Sequence, residues 1–209
     1  FEALGVLVLE QTECTSIREI PGNHNLITAG YGGCYHYSFL LNRWELRLKG
    51  IQNLDVQAVC FHPTSRFEAL IALDGAGIFR TTDGGNSWVQ CNRGLSSYKV
   101  VSLSRDPFDP DVVFAACTDS LAVSRNNGQT WTRTGVVGPH QFELLDNVTS
   151  VLVARESGNS VVYVGTDGPH MTVMGAVKKS VDGGEVFTEM YAQMQWNDTI
   201  TSFHQSSAI

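Results

Sequence analysis

Three groups of side chains in this sequence have types and spacing suited to chemistry. The first is Asp83 and Asp182, each followed by two glycines and preceded two positions earlier by a hydroxyl, Thr81 and Ser180. A carboxylate beside Gly-Gly invites a general-acid or anion-cradle reading. It also fits a tight turn, in which the acid accepts its own backbone amides and the glycines take positive φ. The second group is Asp55, Asp146 and Asp198, acids placed just ahead of apolar runs. Glycoside hydrolysis needs two carboxylates flanking a sugar bond, and these are the weak catalytic candidates, with Glu143 and Asp167 behind them. The third is Gly138-Pro139-His140 and Gly168-Pro169-His170. Two imidazoles without a cysteine or carboxylate constellation make a poor zinc site, so they read as solvated loop histidines on a pH-sensitive contact surface. No metal or cofactor site is expected.

The elements that must position these groups come from a repeat. Thr81 to Trp88 returns as Ser124 to Trp131 and again as Ser180 to Phe187. Val56 to Trp88 lies against Lys99 to Trp131 at a shift of 43 without a gap. Each copy holds four short apolar runs; in the first they are Val56 to Phe61, Ala69 to Leu73, Gly77 to Thr81 and Ser87 to Cys91. Short strands joined by short turns at this period predict an all-β propeller of four-stranded antiparallel blades. Leu26 to Trp44 matches Leu70 to Trp88 at a shift of 44, with Phe39, Leu40 and Leu41 where the turn residues should stand. That blade has lost the turn and kept the aromatic.

The repeat divides the chain into an edge or closing strand (1–13), blades at 14–50, 54–95, 98–136 and 146–192, and the first strand of a further blade (197–209). The fourth unit is longer than the others. Its extra residues fall in two loops, within Gly135 to Asn147 and Gly168 to Val177, on the expected face opposite the turns. His140, Gln141, Phe142, His170, Met171 and Met174 are the candidate partner residues there. The partial fifth blade leaves room for another segment or another chain to complete the ring.

The three turns follow Ser/Thr-x-Asp-Gly-Gly-x-x-Trp/Phe, a pattern that resembles the Asp-box (BNR repeat) of the sialidase-like β-propellers. Thr81, Asp83, Gly85 and Trp88 match it fully; Ser180, Asp182, Gly184 and Phe187 match with Phe for Trp. Ser124, Asn126, Gly128 and Trp131 match with Asn in the Asp place. The resemblance covers nearly the whole chain. It implies a propeller with the boxes away from the ligand face, as in sialidases, xyloglucan-type glucanases, sortilin-type receptors and photosystem assembly factors. A sialidase would also need an arginine cluster, an Arg-Ile-Pro segment and a Tyr-Glu nucleophile pair. The nearest segment, Ile17 to Pro21, is broken by Glu19, and Arg80, Arg105, Arg125, Arg133 and Arg155 read as solvated residues at strand ends. The reading is a non-catalytic module for a protein or glycan partner. A fragment of a secreted glycoside hydrolase is the first alternative and a sortilin-like receptor propeller the second.

Composition narrows the classes further. The 209 residues are 17% charged and carry a formal net charge of −7, with no basic cluster to grip nucleic acid. The longest apolar run, Ala3 to Leu9, is far short of a membrane span. The cysteines 14, 34, 60, 91 and 117 lack any metal-ligand spacing and sit mostly in apolar runs, as buried thiols do. The triplets at Asn147 and Asn197 are glycosylation acceptors if the chain is secreted, which gives a lean toward the secretory pathway.

Overall fold

A computed structural model describes residues 14–19, 26–30, 33–38, 40–47, 49–52, 55–137, 143–144, 148–166 and 176–190. The chain divides into two compact units, Phe1–Cys91 and Asn92–Ile209. The first unit holds two sheets. Strands β1 (Cys14–Glu19), β2 (Leu26–Gly30), β3 (Gly33–Ser38) and β4 (Arg43–Leu46) form one, and β5 (Val56–Phe61), β6 (Ala69–Leu73), β7 (Gly77–Thr81) and β8 (Val89–Gln90) the other. Each runs in sequence order and is antiparallel throughout. These are up-and-down blades, because each short turn returns the chain beside the strand it has just left.

The second unit repeats the plan. Strands β9 (Val100–Arg105), β10 (Val113–Cys117), β11 (Ser120–Ser124) and β12 (Thr132–Thr134) make the third blade. The fourth contains β15 (Val148–Glu156), β16 (Asn159–Thr166), β17 (Ala176–Ser180) and β18 (Val186–Met190). Two further strands, β13 (Val136–Val137) and β14 (Glu143–Leu144), extend this last sheet at its outer edge, β13 lying parallel to β18. The sequence marks that stretch only as an inserted loop. The partial propeller of four-stranded blades expected from the repeat is therefore present in all four described sheets. The proposed edge strand (1–13) and the start of a fifth blade (197–209) lie outside the described residues.

The inner strands explain why apolar-polar alternation is weak in the sequence. Every residue of β6, β10 and β11 is buried, so both sheet faces are covered and the strand reads as a continuous apolar run. Between the third and fourth blades the core is built from Val112, Phe114, Leu121, Val151, Val153, Val162, Val164 and Phe187. In the second blade Ile71, Leu73, Phe79 and Trp88 form the corresponding cluster with Ile51 and Val56. The first blade is centred on Tyr37, which is 1% exposed and packs on Trp44 at 5.1 Å between ring centroids.

First strands are sheet edges, and their free backbone groups need partners. The structure supplies them from the neighbouring blade. Val153 donates its amide to Ser104 Oγ at 2.9 Å, and Val151 donates to Ser102 Oγ at 3.4 Å. The alternating serines of β9 thus cap β15. Arg155 and Ser160 extend the seam, donating to the Pro107 carbonyl at 2.6 Å and to Asp106 Oδ1 at 2.7 Å. Each first strand also carries a register irregularity against its neighbour: Cys14/Ser16, Val56/Ala58, Ala116/Cys117 opposite β9, and Val148/Ser150.

Candidate functional site

The acids of the conspicuous turns are fully engaged by the turns themselves. In the second blade Thr81 Oγ1 is buried and accepts the Gly85 amide at 2.9 Å while donating to Asp83 Oδ1 at 2.8 Å. That same Oδ1 accepts the Ser87 amide at 2.9 Å, and Oδ2 accepts the Ser87 hydroxyl at 2.5 Å. Gly84 and Gly85 take φ of 73° and 84°, the left-handed region where a side chain would strain the backbone. The fourth blade repeats this with Ser180, Asp182, Gly184 and Val186: Ser180 Oγ lies 2.6 Å from Asp182 Oδ1, which accepts the Val186 amide at 3.0 Å.

The third blade shows why Asn serves in the Asp place. Asn126 Oδ1 accepts the Ser124 hydroxyl and the Thr130 amide, both at 2.9 Å. Its Nδ2 then donates to Thr130 Oγ1 at 2.8 Å, the reverse of the bond that Asp83 accepts from Ser87. Asn127 takes the positive φ, 54°, that Gly84 takes in the second blade. Each of these two turns is tied to the loop before the second strand, by Gly84 N to Phe67 O at 2.9 Å and by Asn127 N to Asp111 O at 2.8 Å.

The electrostatics follow from the geometry. Burial pushes the Asp83 carboxyl up, but the bonds from Ser87 and Thr81 outweigh it and leave the group below its ordinary value. Asp182 behaves alike, with Ser180, Val186 and Glu185 as donors against the same burial effect. Such carboxylates are ionised and hydrogen-bonded at neutral pH, the opposite of what a general acid requires.

The other candidates disperse. Asp55 leads into β5 and accepts the Gln57 side-chain amide at 2.7 Å. Asp146 and Asp198 lie outside the described residues, as do Asp167 and the whole partner-face set, His140, Gln141, Phe142, His170, Met171 and Met174. Among the described residues no three His, Cys, Asp or Glu side chains are grouped to hold a metal ion. The same residues contain no helix long and apolar enough to cross a membrane. Of the arginines expected to be solvated, Arg125, Arg133 and Arg155 are exposed and Arg80 and Arg105 half-buried, and four of the five also make contacts. Arg80 pairs with Glu68 at 2.7 Å, Arg105 donates to Asn127 Oδ1 at 3.0 Å, Arg133 to the Asp119 carbonyl at 3.1 Å, and Arg155 lies over the Phe108 ring. Their partners sit one blade loop or one hairpin away, a relation invisible along the sequence.

One constellation belongs to none of the sequence motifs. Tyr163 donates its hydroxyl to Glu156, and Lys179 Nζ lies 2.6 Å from the other oxygen of that carboxylate. A Tyr-Glu couple is what the sialidase pattern asks for, but here it is electrostatically quiet. Lys179 and Tyr163 hold Glu156 below its ordinary value, while burial and Glu156 push Tyr163 up. A tyrosine that holds its proton more firmly is a poorer nucleophile. The signal that could have found it is a cross-strand register, Tyr163 opposite Lys179 in β16 and β17.

No family model matches this chain, and no curated protein matches it. Solved structures do. An ancestral GH74 enzyme is 18% identical, with a TM-score of 0.68 over 87% of this chain and 24% of its own. The GH74 xyloglucanase from Xanthomonas campestris is 15% identical, with a TM-score of 0.63 over 88% of this chain and 32% of its own. YCF48, solved bound to a D1 peptide, is 13% identical, with a TM-score of 0.53 over 83% of this chain and 57% of its own. The chain spans about a quarter to a third of those GH74 chains and rather more than half of YCF48. At these identities the likeness is one of fold, and the fold it shows is the β-propeller.

Proposed function

We propose that this chain is a non-catalytic propeller module. It recognises a protein or glycan partner through the loops at the strand ends opposite the Asp-box turns, with His140, Gln141, Phe142, His170, Met171 and Met174 in contact. The observation that supports this most directly is the state of Asp83 and Asp182, whose carboxylates are taken up by their own turns. YCF48, a propeller of related fold that is bound to a peptide, adds a precedent for protein recognition. Likeness to two GH74 enzymes favours the second reading, in which the chain is part of a glycoside hydrolase and Asp55, Asp146 or Asp198 serves as acid or base.

A panel of aryl glycosides separates the two. The module reading expects no turnover, together with binding to peptide or glycan arrays that weakens on Phe142→Ala and Met171→Ala. Turnover that disappears in Asp55→Asn or Asp146→Asn overturns it in favour of the hydrolase.

A further inference from the structure

The outer edges of three blades are finished in different ways. In the fourth blade Gly135, at φ +90°, leads into β13, whose Val136 and Val137 lie parallel to Val186 and Phe187. Strand β14 then pairs antiparallel with β13, Leu144 on Val136 and Glu143 on Val137, so a strand of the chain itself fills that edge. In the third blade Ser96, two residues after Gly94, meets Ser120 at the head of β11, with the hydroxyl oxygens 2.7 Å apart.

The second blade has neither finish. Gly50 repeats the φ of +90°, and Ile51 and Gln52 follow it as Val136 and Val137 follow Gly135. Neither residue makes a hydrogen bond among the described residues, and the sheet ends on β8. A groove of about 470 Å³ lies there instead, lined by Gly50, Gln52, Ala76, Phe79 and Gln90. None of these side chains is charged. Along the outermost strand Trp88 N bonds outward to Lys49 O and Cys91 N inward to Ile78 O, both at 2.9 Å. Alternation therefore turns the N–H and C=O of Gln90 outward, away from β7. The Gln90 side chain is exposed, and its Nε2 donates to the Ala76 carbonyl at 3.0 Å, which leaves Oε1 to accept.

We propose that this groove is a strand-addition site for an extended, uncharged peptide segment of a partner protein. Its backbone pairs with the outward groups of Gln90, as β14 pairs with β13 in the fourth blade, and one apolar side chain rests against Phe79 and Ala76. An open ladder edge recognises a peptide through its backbone, and the two-residue period of an extended chain sends alternate side chains into the groove. A charged side chain would lose water there and gain no partner of opposite sign. The exposed Gln52 amide adds a donor and an acceptor at the rim. The site uses none of the residues in the reading above and goes beyond it.

The test titrates the 209-residue chain with a capped peptide of alternating threonine and valine, following the backbone amides of Gln52, Ala76, Phe79 and Gln90 by NMR. These amides should shift, and the Gln90 amide should gain protection from hydrogen exchange. The fully N-methylated peptide, which has no backbone donors, and a peptide of alternating threonine and glutamate should bind far more weakly. Gln90→Pro removes only the outward N–H of an edge strand, and Ala76→Glu sets a charge in the groove; each should lower affinity about tenfold. Phe142→Ala should leave it unchanged. The proposal is overturned if the neutral peptide does not shift these amides, if the N-methylated or glutamate peptide binds equally well, or if folded Gln90→Pro and Ala76→Glu variants bind unchanged. Binding lost in Phe142→Ala also overturns it, and places the peptide on the loops of the reading above.

Discussion

Gly94 lies so close to Trp131 that a Cβ built on it stands 1.9 Å from the Trp131 carbonyl oxygen. Gly50 repeats the relation with Trp88 at 2.0 Å. In both, the residue before the glycine accepts the tryptophan amide, Arg93 O from Trp131 N and Lys49 O from Trp88 N, each at 2.9 Å. The φ angles are +93° and +90°. Gly135 has φ +90° just before β13, which lies along β18 in the fourth blade. The segment entering the second and the third blade thus crosses the start of its own outermost strand, and only glycine fits the crossing.

Gly94→Ala and Gly50→Ala are therefore expected to destabilise severely, by about 3 kcal/mol or more, since both the backbone conformation and the space forbid a methyl group. Gly75→Ala is the control. It has φ +66° with nothing within 4 Å of the built Cβ, so only the conformational cost of about 1 kcal/mol applies. Urea denaturation midpoints check this, and equal losses at Gly94 and Gly75 would show that the crossing is not tight.

These glycines also mark the limit of what the sequence discloses. Val56 to Phe61, Ala69 to Leu73 and Gly77 to Thr81 coincide with β5, β6 and β7 residue for residue, because short apolar runs between turn residues leave little choice. The turns are legible for a related reason: their hydrogen bonds close within four residues of the acid. Gly50 and Gly94 have meaning only through a tryptophan far along the chain, and no motif distinguishes them from ordinary loop glycines. Tyr163, Glu156 and Lys179 come together only through strand register. In the first blade the lost turn is replaced by Tyr37 donating to Asn42 Oδ1 at 2.5 Å, a substitution with no motif to announce it.

Trp88 tests the packing of the second blade. It is 2% exposed, and its indole nitrogen is buried without a hydrogen-bond partner among the described residues. Trp88→Ala is expected to cost about 3 to 5 kcal/mol. Trp88→Phe should cost less than half as much, because no polar contact is lost with the indole. Val89, one residue on, is 69% exposed, and Val89→Ala should fall within about 0.5 kcal/mol of the parent. A thermal or urea scan of the three variants checks the order.

Ser104 tests the seam between the third and fourth blades. Ser104→Ala removes the acceptor for the Val153 amide and strands that donor at a buried position, at an expected cost of about 1 to 2 kcal/mol. Hydrogen exchange should show the Val153 amide losing protection by more than the global change in stability explains. Equal loss across the sheet would instead indicate a general packing defect.

Cys91 and Cys117 are predicted to be inert while the chain is folded. Burial pushes both thiols up to about 12, so almost no thiolate exists near neutral pH and alkylation requires local opening. Peptide mapping after iodoacetamide treatment should find both unmodified in buffer and fully modified in urea. Modification of Cys117 at the rate of a free thiol would contradict its complete burial.

The turns themselves supply a pH prediction whose sign is fixed by the direction of the shifts. Asp83 and Asp182 lie below their ordinary value in the folded chain, so each contributes stability that is present above the unfolded carboxyl pKa of about 3.9 and is lost as pH falls through the lower folded value. Asn126 shows that an amide serves the same geometry, with its Nδ2 supplying a donor where the acid supplies an acceptor. Asp83→Asn should therefore retain most of the stability at neutral pH, with the introduced amide nitrogen donating to Ser87 Oγ, and should lose less than the parent on acidification from about pH 5 to about pH 2. The Asp83→Ala variant, deprived of both oxygens, should lose about 1 to 2 kcal/mol at neutral pH through the stranded Ser87 amide and Thr81 hydroxyl. Urea midpoints measured across that range decide the matter: a parallel pH dependence in parent and Asp83→Asn would mean that the turn carboxylate carries no part of the acid sensitivity.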